Sequence, residues 1–128
     1  MTSSTPDDPR GTARAIRAEG AAVQVDRLDS AVVLNVSGEI DIVSAPLVQE
    51  AAERVLDDSP TTLIMNLSDV TFLASAGLAM LVLCHQMCGE QTRFGVVANT
   101  RATSRPIELT GLDSEMSVHS SLDAALAD

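Results

Sequence analysis

Apolar positions along this chain follow two periods, and the switches between them mark out the elements. Val23-Gln24-Val25 alternates as a half-buried strand does, and Ala31 to Ser37 (AVVLNVS) is a β-branched run that fits a second strand. Asp29-Ser30 sits between them as a hairpin turn, and Gly38-Glu39-Ile40-Asp41 closes the second strand. The period then becomes helical. Leu47, Val48, Ala51, Ala52, Val55 and Leu56 share one face, and Gln49, Glu50, Glu53 and Arg54 share the other. Ser44 is placed to cap that helix, Pro46 fits its first turn, and Asp57-Asp58-Ser59-Pro60 stops it. Thr61 to Leu67 predicts a third strand, broken at Ser68-Asp69. Ser75 opens a second helix over about Ala76 to Cys88, ended by Gly89. Its first two turns have no polar face, which predicts burial on most sides.

Arg93 to Val97 predicts a fourth strand, and Thr100 to Leu109 a short helix with Pro106 in its first turn and Gly111 after its end. Met116 to Val118 predicts a short fifth strand. Ser120 heads a last helix, with Asp123 placed for a capping box. The order β-β-α-β-α-β-α-β-α implies an α/β fold: a small mixed β-sheet, parallel in its latter part, packed against about four helices. Residues 1–20 show little apolar periodicity and hold Pro6, Pro9, Gly11 and Gly20. They read as a flexible N-terminal tail ahead of a single domain over 21–128.

Composition narrows the function. The chain has 128 residues, with 18 acidic against 8 basic side chains, a formal net charge of −10. Every basic residue is Arg, and Phe72 and Phe94 are the only aromatic residues. Asp7, Asp8 and Glu19 balance Arg10, Arg14 and Arg17, so the charge belongs to residues 21–128. A surface this acidic argues against nucleic acid and against anionic membranes as partners. The scarcity of aromatics argues against base stacking. The most apolar run, Ala74 to Cys84, is about half a membrane span, and the first twenty residues lack the apolar stretch of a secretory signal. The expected compartment is the cytoplasm. Such a surface serves solubility first, and electrostatic steering toward a basic protein partner is the alternative.

Few residues offer chemistry. Cys84 and Cys88 lie four apart on one helix face, where they are either buried core thiols or a redox pair. Together with His85 and His119 they match no established zinc spacing, so no metal and no cofactor is expected. Ser75-Ala76-Gly77 on a strand-to-helix turn has the second half of a hydrolase nucleophile elbow, but the first Gly position is Leu73. His85 lies about three helical turns from Ser75, beyond a general base's reach. The expectation is a binding protein and not an enzyme.

Three segments carry a resemblance: Val36-Ser-Gly-Glu-Ile-Asp41, Leu67-Ser-Asp-Val-Thr-Phe-Leu-Ala-Ser-Ala-Gly-Leu78 and Ile107-Glu-Leu-Thr-Gly-Leu112. The chain resembles the STAS-domain anti-sigma-factor antagonists over about residues 22–127. The resemblance implies a partner-switching regulator of transcription. Its partner would be an anti-sigma factor that is also a serine kinase of the histidine-kinase-like ATPase fold, and binding it would release a sigma factor. By position, the resemblance implies that Ser75 is the phosphoacceptor. It also puts Asp41 at the partner-facing end of the sheet, with Ser44, Ala74, Ala76, Gly77 and Met80 near the contact surface. A PP2C-type phosphatase would reverse the modification, and the family implies a monomer. Ala74 and Ala76 depart from the family pattern, which has Asp before the serine and Ser or Thr after it. The loss of that Asp removes a carboxylate able to orient the serine or contact the kinase. A helix start also favours an anion by its own N–H groups and dipole, so a phosphate on Ser75 suits the fold. Two other readings stay open: an antagonist regulated by the Cys84/Cys88 redox state, and a ligand- or nucleotide-sensing STAS module within a larger complex.

Overall fold

The structure, a computed structural model, describes residues 12–18 and 20–127. Six strands form one sheet in the order β1-β2-β3-β4-β5-β6, which is also their order in the chain. They are β1 (Thr12–Ala18), β2 (Ala21–Leu28), β3 (Ala31–Ile40), β4 (Thr62–Leu73), β5 (Arg93–Val97) and β6 (Ser117–His119). The helices are α1 (Ala45–Leu56), α2 (Ser75–Cys88), α3 (Arg101–Thr110) and α4 (Leu122–Ala127). The pairs β1–β2 and β2–β3 are antiparallel, and β3–β4, β4–β5 and β5–β6 are parallel. The expected mixed sheet with four helices is therefore present.

The N-terminal reading changes in part. Residues 1–11 and 19 lie outside the described residues. Thr12–Ala18, expected as tail, is an edge strand paired with β2 from Ala15↔Gln24 to Ala18↔Ala21. Its apolar pattern is weak because an edge strand is held by its main-chain ladder as much as by side-chain burial.

Because the strands are laid down in sequence order, each parallel crossover returns on the same side. α1, α2 and α3 therefore cover one face, over Val23, Leu34, Val36, Leu63, Met65, Leu67 and Val96. Among the described residues the opposite face carries only α4, whose Ala125 packs on Val33, Ile64 and Val97. Beyond α4 that face bears a polar chain. The amide Nδ2 of Asn35 donates to Asp26 Oδ2 (2.8 Å), and that of Asn66 donates to Asn35 Oδ1 (2.8 Å). Ser68 Oγ donates to Asn66 Oδ1 (2.7 Å) and accepts from Asn99 Nδ2 (3.1 Å).

The predicted break at Ser68-Asp69 is absent; β4 runs through it by bulging. Asn35 pairs with Asn66 but Ser37 with Asp69, and Gly38 pairs with Val70 but Glu39 with Phe72. At each point β4 holds one residue more than β3. The inward positions on β4 thus run Leu63, Met65, Leu67 and then Val70 and Leu73. The period of two becomes three, and Thr71 and Phe72 are both left exposed.

Three boundary expectations are also corrected. Pro106 lies in the interior of α3, because the helix starts at Arg101, well before it. The α4 cap is Ser121, whose Oγ accepts from the Ala124 N–H (3.1 Å), and not Ser120. Ser44 stands at the N-cap position of α1 but makes no capping bond to the helix; its hydroxyl is used elsewhere, as described below.

Gly38 fixes the β2–β3 end of the sheet. Its φ is +91°, and a Cβ there would run into the Gly20 carbonyl, next to the bond from Glu39 N–H to Gly20 O (3.1 Å). The Gly38→Ala variant should lose about 2–4 kcal/mol of stability, from left-handed strain plus displacement of the Gly20 backbone. Urea denaturation followed by circular dichroism measures it, and an unchanged midpoint would contradict this account.

Candidate functional site

β3 and β4 end side by side. Their last paired residues are Ile40 and Leu73, and the Ala74 N–H donates to the Ile40 carbonyl (2.9 Å). Asp41 and Ser75 each lie just beyond that closing rung, so the two turns singled out in the sequence share one end of the sheet. A short first turn of α2 holds them close. Gly77 is buried there, and a Cβ on it would come within 2.6 Å of Leu73 Cδ1 and 2.9 Å of Ile40 Cγ2. Gly77 thus lets α2 pack closely on the rung, and its Cα faces the sheet.

Asp41 organises the turn into α1. Its Oδ1 accepts from the Val43 N–H (3.0 Å) and the Ser44 N–H (3.1 Å), and shares the Ser44 hydroxyl proton (3.1 Å) with the Glu39 carbonyl. These donors, the Ser44 N–H foremost, hold the carboxyl below its ordinary value. That contribution is present above the ordinary carboxylate range and fades as the pH falls through it. Ser44 is fully buried, and its Oγ donates to the Glu39 carbonyl (2.7 Å) while accepting from the Asp41 N–H (3.0 Å). Ser44 therefore holds the turn together from inside.

The α2 cap position is Ala74, with φ −83° and ψ 175°, and Ser75 is the first helical residue. Ser75 is exposed, and Ala74 and Ala76 are half-buried. The Gly77 and Leu78 N–H groups both turn back to the Ala74 carbonyl (2.9 and 3.1 Å). Met80 is buried, although it forms part of the floor of a groove of about 210 Å³ with Ile42, Ala45, Pro46, Gln49, Ala76, Ala79 and Leu83. Of the seven residues expected near a contact surface, Asp41, Ser75, Ala74 and Ala76 reach solvent, and Ser44, Gly77 and Met80 are buried.

Sequence reading missed the apolar rim. Ile42 is 78 % exposed, Val43 58 % and Phe72 53 %. All three lie at the same end of the sheet as Ser75. They leave that end of the sheet with an exposed apolar rim. The available signals were Ile42-Val43, an apolar pair inside a turn, and Phe72, which simple alternation from Leu63, Met65 and Leu67 already turns outward.

The family model for the STAS domain matches residues 22–125. The chain belongs to the STAS domain family. An anti-sigma-F factor antagonist of Mycobacterium tuberculosis, RsfB, is 44 % identical over 94 residues, 73 % of this chain and 77 % of the relative. A crystal structure of an anti-sigma factor antagonist from Mycobacterium paratuberculosis superposes with a TM-score of 0.80 at 45 % identity, covering 84 % of this chain and 92 % of that one. The unphosphorylated form of the anti-sigma factor antagonist SpoIIAA has the same fold, with a TM-score of 0.67 at 17 % identity over 80 % of this chain and 91 % of that one.

The other chemistry within this STAS domain is turned inward. Cys84 and Cys88 are free thiols on the buried face of α2, and Cys84 Sγ lies 3.7 Å from Met80 Sδ. Burial pushes Cys84 up to about 12 and Cys88 up to about 11 from an ordinary 9.0, so neither supplies thiolate at neutral pH. This geometry gives little support to redox regulation. The His85 ring packs on Phe94, with centroids 5.7 Å apart, facing away from Ser75. Among the described residues no His, Cys, Asp or Glu cluster could hold a metal ion, and no helix is long and apolar enough to cross a membrane. A second cavity of about 240 Å³, between α3 and β6, is lined by Ala98, Ile107, Asp113 and His119, two strands away from β4.

A thiol reagent such as DTNB at pH 8 should label neither cysteine in the native protein at an appreciable rate, and should label both in denaturant. The raised thiol values stabilise the fold below pH 9.0, and that contribution is lost as the pH rises toward 11–12. Rapid native labelling at either position would refute the burial.

Proposed function

We propose that this STAS domain is an anti-sigma-factor antagonist that acts by binding in the cytoplasm, and that Ser75 is its phosphorylation switch. The partner is an anti-sigma factor with a serine-kinase ATPase domain, whose capture releases a sigma factor; a PP2C-type phosphatase resets the switch. The antagonists RsfB and its paratuberculosis counterpart support the antagonist role. One observation carries the switch: Ser75 is exposed at the start of α2, at the sheet end where Ile42, Val43 and Phe72 are uncovered.

The physics of such a switch is local. Docking would desolvate the apolar rim, which is favourable at roughly 25 cal/mol per Å² of apolar surface buried. A phosphate on Ser75 adds about −1.5 to −2 charges. The N-terminus of α2 tolerates that charge, so the domain keeps its fold. In the complex the same charge sits beside Asp41 and next to apolar surface, where it must lose water without a counter-ion. Phosphorylation thereby removes the partner without rearranging the antagonist. Ala74 and Ala76 place no carboxylate or hydroxyl beside Ser75, so recognition by the kinase rests on the surrounding surface.

Incubation with the purified anti-sigma factor kinase and ATP should add one phosphate to the wild-type chain and none to Ser75→Ala, read by intact mass. Ser75→Glu should weaken binding to that kinase by at least about tenfold, ~1.4 kcal/mol, with an unchanged circular dichroism spectrum. Phosphate persisting on Ser75→Ala would overturn the assignment.

A further inference from the structure

The first two turns of α2 have no polar face, and burial on most sides is the expectation. The structure buries only one side: Gly77, Met80, Leu81, Cys84 and Cys88 face the sheet. Ala76, Ala79, Leu83 and Met87 form a stripe down the other side, with Leu83 42 % and Met87 37 % exposed. Their spacing of three or four residues makes one continuous line of about 16 Å. The upper part of this stripe is the wall of the α1–α2 groove. The facing wall is α1, through Pro46 and Gln49, and one turn further Glu53. Gln49 Nε2 donates to Glu53 Oε2 (3.2 Å), and Glu53 is near enough for its charge to act on the buried Cys84 thiol. One long wall is therefore apolar and the other ends in a carboxylate.

We infer that the α1–α2 groove and the Ala76–Met87 stripe seat an amphipathic helix of the anti-sigma factor, apolar toward α2 and carrying Lys or Arg opposite Glu53. This inference rests on the reading under Proposed function and extends that contact well past the Ser75 end. Three turns of partner helix match the length of the stripe. Charge complementarity selects the occupant. Residues 1–11 (MTSSTPDDPRG) hold Met1 as their only large apolar residue and bring two aspartates, so they do not fit. A second copy would bring its own Glu50 and Glu53 to the same acidic wall in a chain of net charge −10. A basic amphipathic helix satisfies both walls.

The test is titration calorimetry of the full chain with the purified anti-sigma factor, at two salt concentrations, with sedimentation of the chain alone. Leu83→Glu and Met87→Glu should each weaken binding at least tenfold while melting within a few degrees of wild type, since both side chains are exposed. Glu53→Arg should weaken binding and flatten its salt dependence. Wild-type affinity in both Leu83→Glu and Met87→Glu would overturn this inference alone. So would a wild-type dimer that Leu83→Glu dissociates while anti-sigma binding is unchanged, because the groove would then belong to a second copy. No binding by the wild-type chain would overturn the reading under Proposed function, and this inference with it.

Discussion

The functional end of the molecule depends on one close approach. The first turn of α2 lies on the last rung of the sheet, where Ile40 and Leu73 pair, and Gly77 lets the helix pack directly on their side chains. There the Ala74 N–H bonds the Ile40 carbonyl, and Ser75 stands beside the Asp41 turn. A Cβ at position 77 would force the Leu73 and Ile40 side chains to shift. The local polar bonds depend on the same placement: Ser44 is buried against Glu39 and Asp41 only while the end of β3 stays where the rung puts it.

The two bulges in β4 are the second constraint, and they act on exposure. A regular strand from Leu63 would have turned Asp69 and Thr71 inward before reaching Leu73. Inserting one residue twice brings Val70 to the core in place of Asp69 and Thr71, while Leu73 stays inward and Phe72 outward. The core gains an aliphatic side chain and is spared two polar ones. The two distortions of the ladder thus serve packing at the Ser75 end of the sheet, in keeping with the tendency of bulges to occur near functional sites.

Much of this was legible in the sequence, for identifiable reasons. Val32 to Val36 and Leu63 to Leu67 are β-branched or aliphatic runs with few alternatives to a buried strand, and Leu47 to Leu56 has one helical period. The Ser75 turn was legible as a motif. What was hidden depended on partners distant in the chain. Thr12–Ala18 is a strand because β2 offers it an unpaired edge, which its own residues do not announce. Ser44 looked like a helix cap because capping is a local signal, whereas its hydroxyl is drawn back to Glu39. Gly77 read as a residue near the contact surface, and the two neighbours it packs against, Ile40 and Leu73, approach it only in the folded chain. The outer face of α2 was misjudged because composition gives the character of a helix surface but not how much of it other elements cover.

The polar chain on the open face of the sheet has a consequence of its own. A parallel pair of strands made almost wholly of Val, Leu, Ile and Met has many nearly equivalent alignments, since one aliphatic contact differs little from another. Asn35 and Asn66 remove that degeneracy. In the observed alignment each amide meets the other and the line continues to Asp26 and Ser68. A shift of two residues, which would keep every side chain on its own face, would set Asn35 against Ile64 in one direction and Asn66 against Val33 in the other. The two amides would then lose each other while the aliphatic contacts would hardly change. The ladder thus acts as an alignment key for the central strands, and Asp41, six residues beyond Asn35, and Ser75, nine beyond Asn66, inherit their relative position from that key.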